Sequence, residues 1–289
     1  MWNSIDTHIS RVTGNRFQSE QKCLVDGGSV NESYIVNNDK QTYFIKVNQA
    51  SQIAMFEAEA LGLQQISDTG AIRTPKPLCT GISADCCYIV MEYLSMGNRK
   101  SRSFMEMGRN LAKMHKKVNI SQKGFGWYMQ NTIGSTPQIN TWTDNWGEFY
   151  AQNRLGYQFR LGIKRGGDFP QAEELIAKTP KLLGDYKPQP SLIHGDLWIG
   201  NTGFTIDGEP VVFDPATYYG DREVDIAMTE LFGGFPCDFY QGYNEVFMLD
   251  SGYKNRRILY GLYHIINHFN LFGGGYESQV NRMIRQIIT

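Results

Sequence analysis

The stretch that most constrains this 289-residue chain is LIHGDLWIGNTGFTIDGEPVVFDPA, residues 192–216. Residues 202–206 alternate like a strand, Asp207-Gly208 is a tight-turn dipeptide, and residues 211–213 read as the returning strand. An antiparallel hairpin brings its outer ends together, so Asn201 and Asp214 are predicted side by side. Asp196 lies on the loop that feeds the hairpin, with His194 bracing that loop. Two carboxylates and an amide oxygen then surround one small volume.

A hard divalent cation favours oxygen ligands of this kind, and magnesium takes only one or two carboxylates plus substrate phosphate oxygens. Phosphoryl transfer asks little more of a protein: metal ligands, a group at the acceptor hydroxyl, and residues that position the nucleotide. Asp-x-x-x-x-Asn followed by an Asp after a hairpin is the spacing of kinase catalytic and metal loops. Asp196 is therefore the candidate base or orienting group for an acceptor hydroxyl, and Asn201 and Asp214 are the candidate Mg2+ ligands. Turn preference alone accounts for Asp207-Gly208. It does not account for Asp196 and Asp214, which adjoin apolar runs where an unpaired carboxylate is expensive.

Upstream, short strands at residues 22–25, 34–36 and 43–47 predict an antiparallel meander. Its first link holds Gly27, Gly28 and Ser29, where a missing Cβ lets backbone N–H groups approach a phosphate. Lys46 sits inside an apolar strand, where lysine is rarely without an anionic partner. A helix over residues 51–66 follows, with Ile53, Phe56, Ala60 and Leu63 as its apolar stripe. Glu57 and Glu59 flank that stripe on opposite sides, and helical geometry leaves open which of them meets Lys46. Two more strands, residues 78–81 and 88–94, end at Glu92 and Leu94, whose backbone groups are candidates for an adenine edge. No GxxxxGK[ST] pattern occurs, which argues against a P-loop NTPase.

Beyond residue 97 the pattern is mostly helical. His115 falls on the apolar face of a helix over residues 101–117 and reads as a core histidine. Trp142 and Trp146, in TWTDNWGEF, are candidates for a wall that stacks on a sugar ring. Asp221 is a helix-cap candidate, and Asp225 is placed to tie down the catalytic loop. His264 and His268 have i,i+4 spacing but lack the Glu of HExxH, so they read as a helix face. The net charge of -1 offers no basic footprint for nucleic acid or an anionic membrane. No apolar run approaches the ~20 residues of a membrane span, and the first residues lack a signal peptide's pattern. Five cysteines, with Cys86 and Cys87 adjacent, form neither a disulfide framework nor a CxxC pair, so the cytoplasm is the expected compartment.

His194-Gly195-Asp196-Leu197-Trp198-Ile199-Gly200-Asn201 resembles the catalytic loop of the fructosamine (ketosamine) kinases. Gly27-Gly28-Ser29, the strand ending in Lys46, Met55-Phe56-Glu57-Ala58-Glu59, Met91-Glu92-Tyr93-Leu94, Pro137-Gln138-Ile139-Asn140 and Asp214-Pro215-Ala216 extend the likeness over about residues 27–275. The resemblance implies an α+β, protein-kinase-like fold of two lobes. Residues 1–94 would carry an antiparallel five-stranded sheet with a helix, and residues 95–289 a larger, mostly helical lobe. It implies ATP and Mg2+ as cofactors, Asp196 as base, Lys46 on the phosphates, and Glu59 as its partner. Trp198 would flank the sugar, with Asp221 and Glu223 of the post-metal motif as further substrate-side candidates. The implied reaction is phosphorylation of the O3 hydroxyl of ketosamines. Ser29 stands where some members carry a cysteine, so thiol control at that position is not expected. An aminoglycoside- or choline-type kinase and a catalytically silent nucleotide binder are the alternatives.

Overall fold

The computed structural model describes residues 1–25, 30–99, 103–117 and 123–289. The nucleotide-loop candidates Gly27, Gly28 and Ser29 lie outside the described residues. Five strands form one sheet: β1 (Gln21–Val25), β2 (Glu32–Asn37), β3 (Thr42–Gln49), β4 (Pro77–Ser83) and β5 (Cys86–Glu92), in the order β1-β2-β3-β5-β4. All neighbours are antiparallel, as the meander predicts.

Side chains alternate between the two faces of a strand, and here a helix covers each face. α1 (Trp2–Thr13) brings Ile5 and Ile9 onto Val36, Ile45, Val47, Tyr88 and Val90. α2 (Ile53–Asp68), between β3 and β4, brings Phe56 and Leu63 onto Cys87, Ile89 and Met91. Cover on both sides explains why CYIVM reads as an unbroken apolar run rather than as an alternating one. It also fixes the facing of Lys46: Ile45 and Val47 belong to the α1 side, so Lys46 belongs to the α2 side, with Glu59.

The remainder is mainly helical. It comprises α3 (Ser103–Lys116), the hairpin β6 (Asn131–Ile133) and β7 (Thr136–Gln138), α4 (Trp146–Phe149), α5 (Tyr157–Lys164) and α6 (Ala172–Leu182), with a π-helical turn over residues 150–156 joining α4 to α5. Then come β8 (Ser191–Ile193), the hairpin β9 (Thr202–Phe204) and β10 (Pro210–Val212), β11 (Tyr218–Gly220), α7 (Glu223–Thr229), α8 (Cys237–Val246), α9 (Tyr253–Phe272) and α10 (Tyr276–Ile288). α3 and α8 touch backbone to backbone. A Cβ on Gly108 would lie 2.0 Å from the Phe239 carbonyl oxygen, and one on Gly242 2.1 Å from that of Met105.

Two antiparallel pairs aim the central stretch. β8 pairs with β11, so the His194 loop and the segment leading into α7 leave from neighbouring strands. β9 pairs with β10 in the register Thr202↔Val212, and the Phe213 N–H donates to the Asn201 carbonyl at 3.1 Å. The predicted closeness of Asn201 and Asp214 follows from that register. The first strand is shorter than predicted and the second begins one residue earlier, because the turn starts sooner. Thr205 and Glu209 close it through an N–H to carbonyl bond of 3.0 Å, leaving residues 206–208 as a three-residue loop with Gly208 left-handed.

The hairpin is strapped on two sides. Ile206 N–H donates to the Ser95 carbonyl (3.0 Å), Gly97 N–H to the Phe204 carbonyl (2.8 Å), and Val212 N–H to the Arg73 carbonyl (3.0 Å).

Candidate active site

Lys46 Nζ bridges Glu59 and Asp214, 2.6 Å from each carboxylate. The ammonium and Glu59 are buried, whereas the Asp214 side chain is 47% exposed. Burial alone would lower the Lys46 pKa, but the two carboxylates outweigh it and hold the ammonium above its ordinary range. Burial and Asp214 push Glu59 upward against the pull of Lys46. Glu57, the other helical candidate, is exposed.

The catalytic-loop candidates lie opposite. Gly195 has φ 84°, and a Cβ on it would sit 2.1 Å from the Ala216 carbonyl oxygen, so only glycine lets the two loops pass here. Asp225, fully buried, accepts the N–H of His194 (2.7 Å) and of Gly195 (2.8 Å), and pairs with His115 Nε2 at 3.0 Å. Burial would raise its pKa, but these donors, His115 first, hold it below the usual carboxylate value. His115 in turn meets the Tyr243 hydroxyl (2.8 Å), as befits a core histidine. His194 Nε2–H donates to the Phe213 carbonyl (3.0 Å), and its Nδ1 accepts the Asp196 N–H (3.3 Å). Burial depresses the His194 pKa, and the neutral ring braces one loop against the other.

Asn201 Nδ2 donates to the Asp196 carbonyl (2.9 Å) and to Asp196 Oδ2 (3.1 Å). With Nδ2 engaged in this way, Oδ1 is the Asn201 atom that could serve as an oxygen ligand. Asp214 itself adopts φ 57°, unfavourable by about 1–2 kcal/mol for a residue with a Cβ. The segment is held there by the Ala216 N–H on the His194 carbonyl (2.9 Å) and by the Lys46 pairing. Asp196 is half-buried, and its carboxyl is pushed up to about 7, first by burial and then by the charges of Asp214 and Asp225, against the Asn201 hydrogen bond. Among the described residues no group of three or more His, Cys, Asp or Glu side chains gathers for a metal. Asp214 and Asn201 offer one carboxylate and one amide oxygen, a donor set that fits magnesium shared with phosphate oxygens.

Two cavities meet at these residues. The larger, about 560 Å3, runs under the sheet between Val25, Ile35, Phe44, Met91, Leu94 and Met96, and reaches Lys46 and Asp214. The smaller, about 220 Å3, is walled by Asn131, Thr132, Gly134, Asp196 and Trp198 and reaches Lys46, Glu59 and Asp214. Lys46, Trp198, Asn201 and Asp214 line both. Leu94 and Glu92 line the larger one, but Glu92 is more engaged than predicted. Its carboxylate pairs with Arg73, and its N–H donates to the Lys76 carbonyl at 2.9 Å.

Three of the substrate-side expectations are corrected. Trp146 is 4% exposed, donates from Nε1 to the Tyr260 hydroxyl (2.9 Å) and stacks on Phe149. Asp221 is fully buried, accepting the Tyr260 hydroxyl (2.6 Å) and the Glu223 N–H (3.0 Å) at the start of α7. Glu223 is fully buried in a two-pronged pair with Arg256 at 2.7 and 2.9 Å. None of the three lines either cavity. Trp142, half-buried, stacks on Tyr219 at 5.9 Å and lines neither cavity.

Asn131 is the residue that sequence reasoning missed. Its Nδ2 donates to the Thr217 carbonyl (2.8 Å), while Gln138 Nε2 donates to Asn131 Oδ1 (2.9 Å) and to the Ala216 carbonyl (3.0 Å). Asn140 Nδ2 also donates to Asn131 Oδ1 (2.7 Å), and Arg154 donates to Asn140 Oδ1 (2.8 Å). Arg154 is fully buried 3.9 Å over the Tyr218 ring, with no carboxylate in ion-pair range among the described residues. Hydrogen bonds running in one direction polarise one another, and this relay fastens the carbonyls behind Asp214 to the cavity wall.

A model of the fructosamine kinase family matches residues 1–289. A Synechocystis protein described as a probable ketoamine kinase is 50% identical over 99% of this chain and 97% of its own. The chloroplastic protein-ribulosamine 3-kinase of Arabidopsis thaliana is 43% identical over 90% of this chain and 80% of its own. A Haemophilus somnus crystal structure, provisionally described as a fructosamine-3-kinase, superposes with a TM-score of 0.94 at 32% identity, covering 100% and 98% of the two chains. An aminoglycoside phosphotransferase and a Streptococcus pneumoniae choline kinase both superpose at TM-score 0.65, the first covering 99% of each chain and the second 99% of this chain and 98% of its own. At 11% and 14% identity these two show the protein-kinase-like fold alone.

Proposed function

The chain belongs to the fructosamine kinase family, and from that premise we propose that it transfers the γ-phosphoryl group of ATP to the O3 hydroxyl of a ketosamine, with Mg2+ as cofactor. In this reading residues 1–94 form the nucleotide lobe and residues 95–289 the acceptor lobe. The observation that carries it is the meeting of Lys46, Glu59, Asp196, Asn201 and Asp214 where two cavities join. The apolar walls of the larger cavity suit a flat base, and the smaller one suits a sugar. All five cysteines are unpaired, which supports a reducing compartment such as the cytoplasm. Among the described residues no helix is long and apolar enough to cross a membrane.

Glu59 holds the Lys46 ammonium where it can grip the nucleotide phosphates. Asp214 and Asn201 would hold magnesium, which when bound offsets negative charge on the phosphate oxygens. Asp196 orients the acceptor hydroxyl and receives its proton as the oxygen–phosphorus bond forms. A carboxyl pushed up to about 7 suits that exchange near neutral pH. Trp198 shields the acceptor from water.

The test is ADP release with fructosyl- and ribulosyl-lysine, choline and an aminoglycoside as acceptors. Turnover should be confined to the ketosamines, and Asp196→Ala should lower it by about 10³-fold or more while ATP still binds. Preference for choline or the aminoglycoside, or full turnover by Asp196→Ala, would overturn the proposal.

A further inference from the structure

Arg154 is fully buried in the π-helical turn between α4 and α5 and pairs with no carboxylate among the described residues. π-Helical turns often mark functional positions, and an unpaired charge is costly to bury. The guanidinium lies 3.9 Å over the Tyr218 ring and 4.5 Å over the Phe149 ring, which offsets part of that cost. Its hydrogen bonds have a consequence of their own. One Nη donates to the Ile139 carbonyl and the other to Asn140 Oδ1 at 2.8 Å.

A guanidinium can only donate. Asn140 must therefore turn Oδ1 toward Arg154, and its Nδ2 donates to the Met129 carbonyl (3.1 Å) and to Asn131 Oδ1 (2.7 Å). Asn131, with Oδ1 occupied in this way, must turn Nδ2 to the Thr217 carbonyl (2.8 Å). A second branch obeys the same logic. The Tyr263 hydroxyl donates to Gln138 Oε1 (2.7 Å), which leaves Gln138 Nε2 for Asn131 Oδ1 (2.9 Å) and the Ala216 carbonyl (3.0 Å). All of these side chains are buried, so bulk water does not replace a missing donor.

Both branches end just past Pro215, on carbonyls two and three residues after Asp214. A residue before proline prefers extended backbone, and Asp214 holds φ 57° against that preference. The proline ring fixes its own φ, so carbonyls pinned at 216 and 217 act on Asp214 through a stiff link. Lys46 is held differently, since Glu59 meets it at 2.6 Å whether or not Asp214 moves.

We infer that Arg154 is a positioning residue for Asp214, the fixed cation that sets the direction of the hydrogen bonds running through Asn140 and Asn131. This rests on the reading of Asp214 and Asn201 as magnesium ligands above. With the direction reversed, Asn131 Oδ1 faces the Thr217 carbonyl, acceptor against acceptor. The segment then gives way at its least favoured residue, Asp214. Nucleotide binding loses the share that depends on Mg2+ and keeps the share that depends on Lys46.

Asn140→Asp reverses the relay with little change of shape. The new carboxylate pairs with Arg154 but cannot donate to Asn131 Oδ1, so the Asn131 amide turns round to meet it. Calorimetry of ATP binding to the full chain, once with Mg2+ and once with EDTA, reads the effect. In the unaltered chain Mg2+ should tighten binding. In Asn140→Asp that tightening should shrink about fivefold to thirtyfold, the weight against a left-handed residue with a Cβ, while affinity in EDTA stays the same. Arg154→Met removes the cation and keeps an apolar chain among the rings; it should act alike. Arg154→Lys, which can still donate to Asn140, should retain most of the tightening. A purely structural Arg154 would lower the melting temperature in these variants and leave the response to Mg2+ as it was. Either Asn140→Asp or Arg154→Met, whichever folds, with an unchanged response would overturn the relay alone. An unaltered chain whose ATP affinity ignores Mg2+ would remove the metal reading and this inference with it.

Discussion

Asp225→Asn is the sharpest test of how the catalytic loop is held. The carboxylate accepts two backbone N–H groups, at 2.7 and 2.8 Å, and faces His115 Nε2 at 3.0 Å, all without exposure to water. Asparagine keeps the shape but turns one accepting end into a donor. At least one of the His194 and Gly195 N–H groups then points at an NH2. A buried N–H without an acceptor costs about 1–3 kcal/mol, and charge-assisted bonds are worth about 1.5–3 kcal/mol. Together these make a loss of about 3–5 kcal/mol in all. For a chain of this size that is a fall in Tm of about 5–8 °C, readable by calorimetry and by urea unfolding at constant m. Gly195 also sets the position of Asp196, and a displacement of about 1 Å at a catalytic group costs roughly 10²-fold in rate. A Tm within 2 °C of the unaltered protein together with kcat within threefold would refute the reasoning.

Two further outcomes follow from the interior. His264 is fully buried, neither ring nitrogen has a partner among the described residues, and burial pushes its pKa down to about 3. The unfolded chain takes up this proton near pH 6.5 and the folded one only near 3, so stability falls as pH falls between those values. The slope is at most about 1.4 kcal/mol per pH unit from this site. His264→Leu should flatten that dependence by one proton and gain about 1 kcal/mol at pH 7, as urea unfolding at a series of pH values would read. Gly108→Ala should destabilise by at least about 1–3 kcal/mol, because the added methyl meets the Phe239 carbonyl of α8 and not a side chain that could swing away. An unchanged melting temperature would show that α3 and α8 can separate at no cost.

The sheet and the hairpin were legible because their signals are local: period-two alternation, turn residues, and a hairpin whose ends must meet. The partner of Lys46 was not decided by the helix alone. It follows from the alternation of β3, which turns Lys46 toward α2, and from the packing of Phe56 and Leu63, which leaves Glu57 in water. Trp146 was misleading because the polar residues around it suggest a surface. Asn145 instead caps α4, accepting the Glu148 N–H at 3.0 Å, and the ring turns inward. Asp221 and Glu223 are charged residues whose partners, Tyr260 and Arg256, lie more than 30 positions away. Asn131 was invisible for the same reason. Its role depends on the Asn131↔Gln138 register and on carbonyls at residues 216 and 217.

The attachments of the β9–β10 hairpin decide how firmly Asn201 and Asp214 are held. Its body is fastened to Arg73 beside the sheet and to residues 95 and 97 just after β5, and its ends carry Asn201 and Asp214. Moving the hairpin would break backbone hydrogen bonds on both flanks, so the spacing of Asn201 and Asp214 is set by main-chain pairing and not by the packing of their side chains.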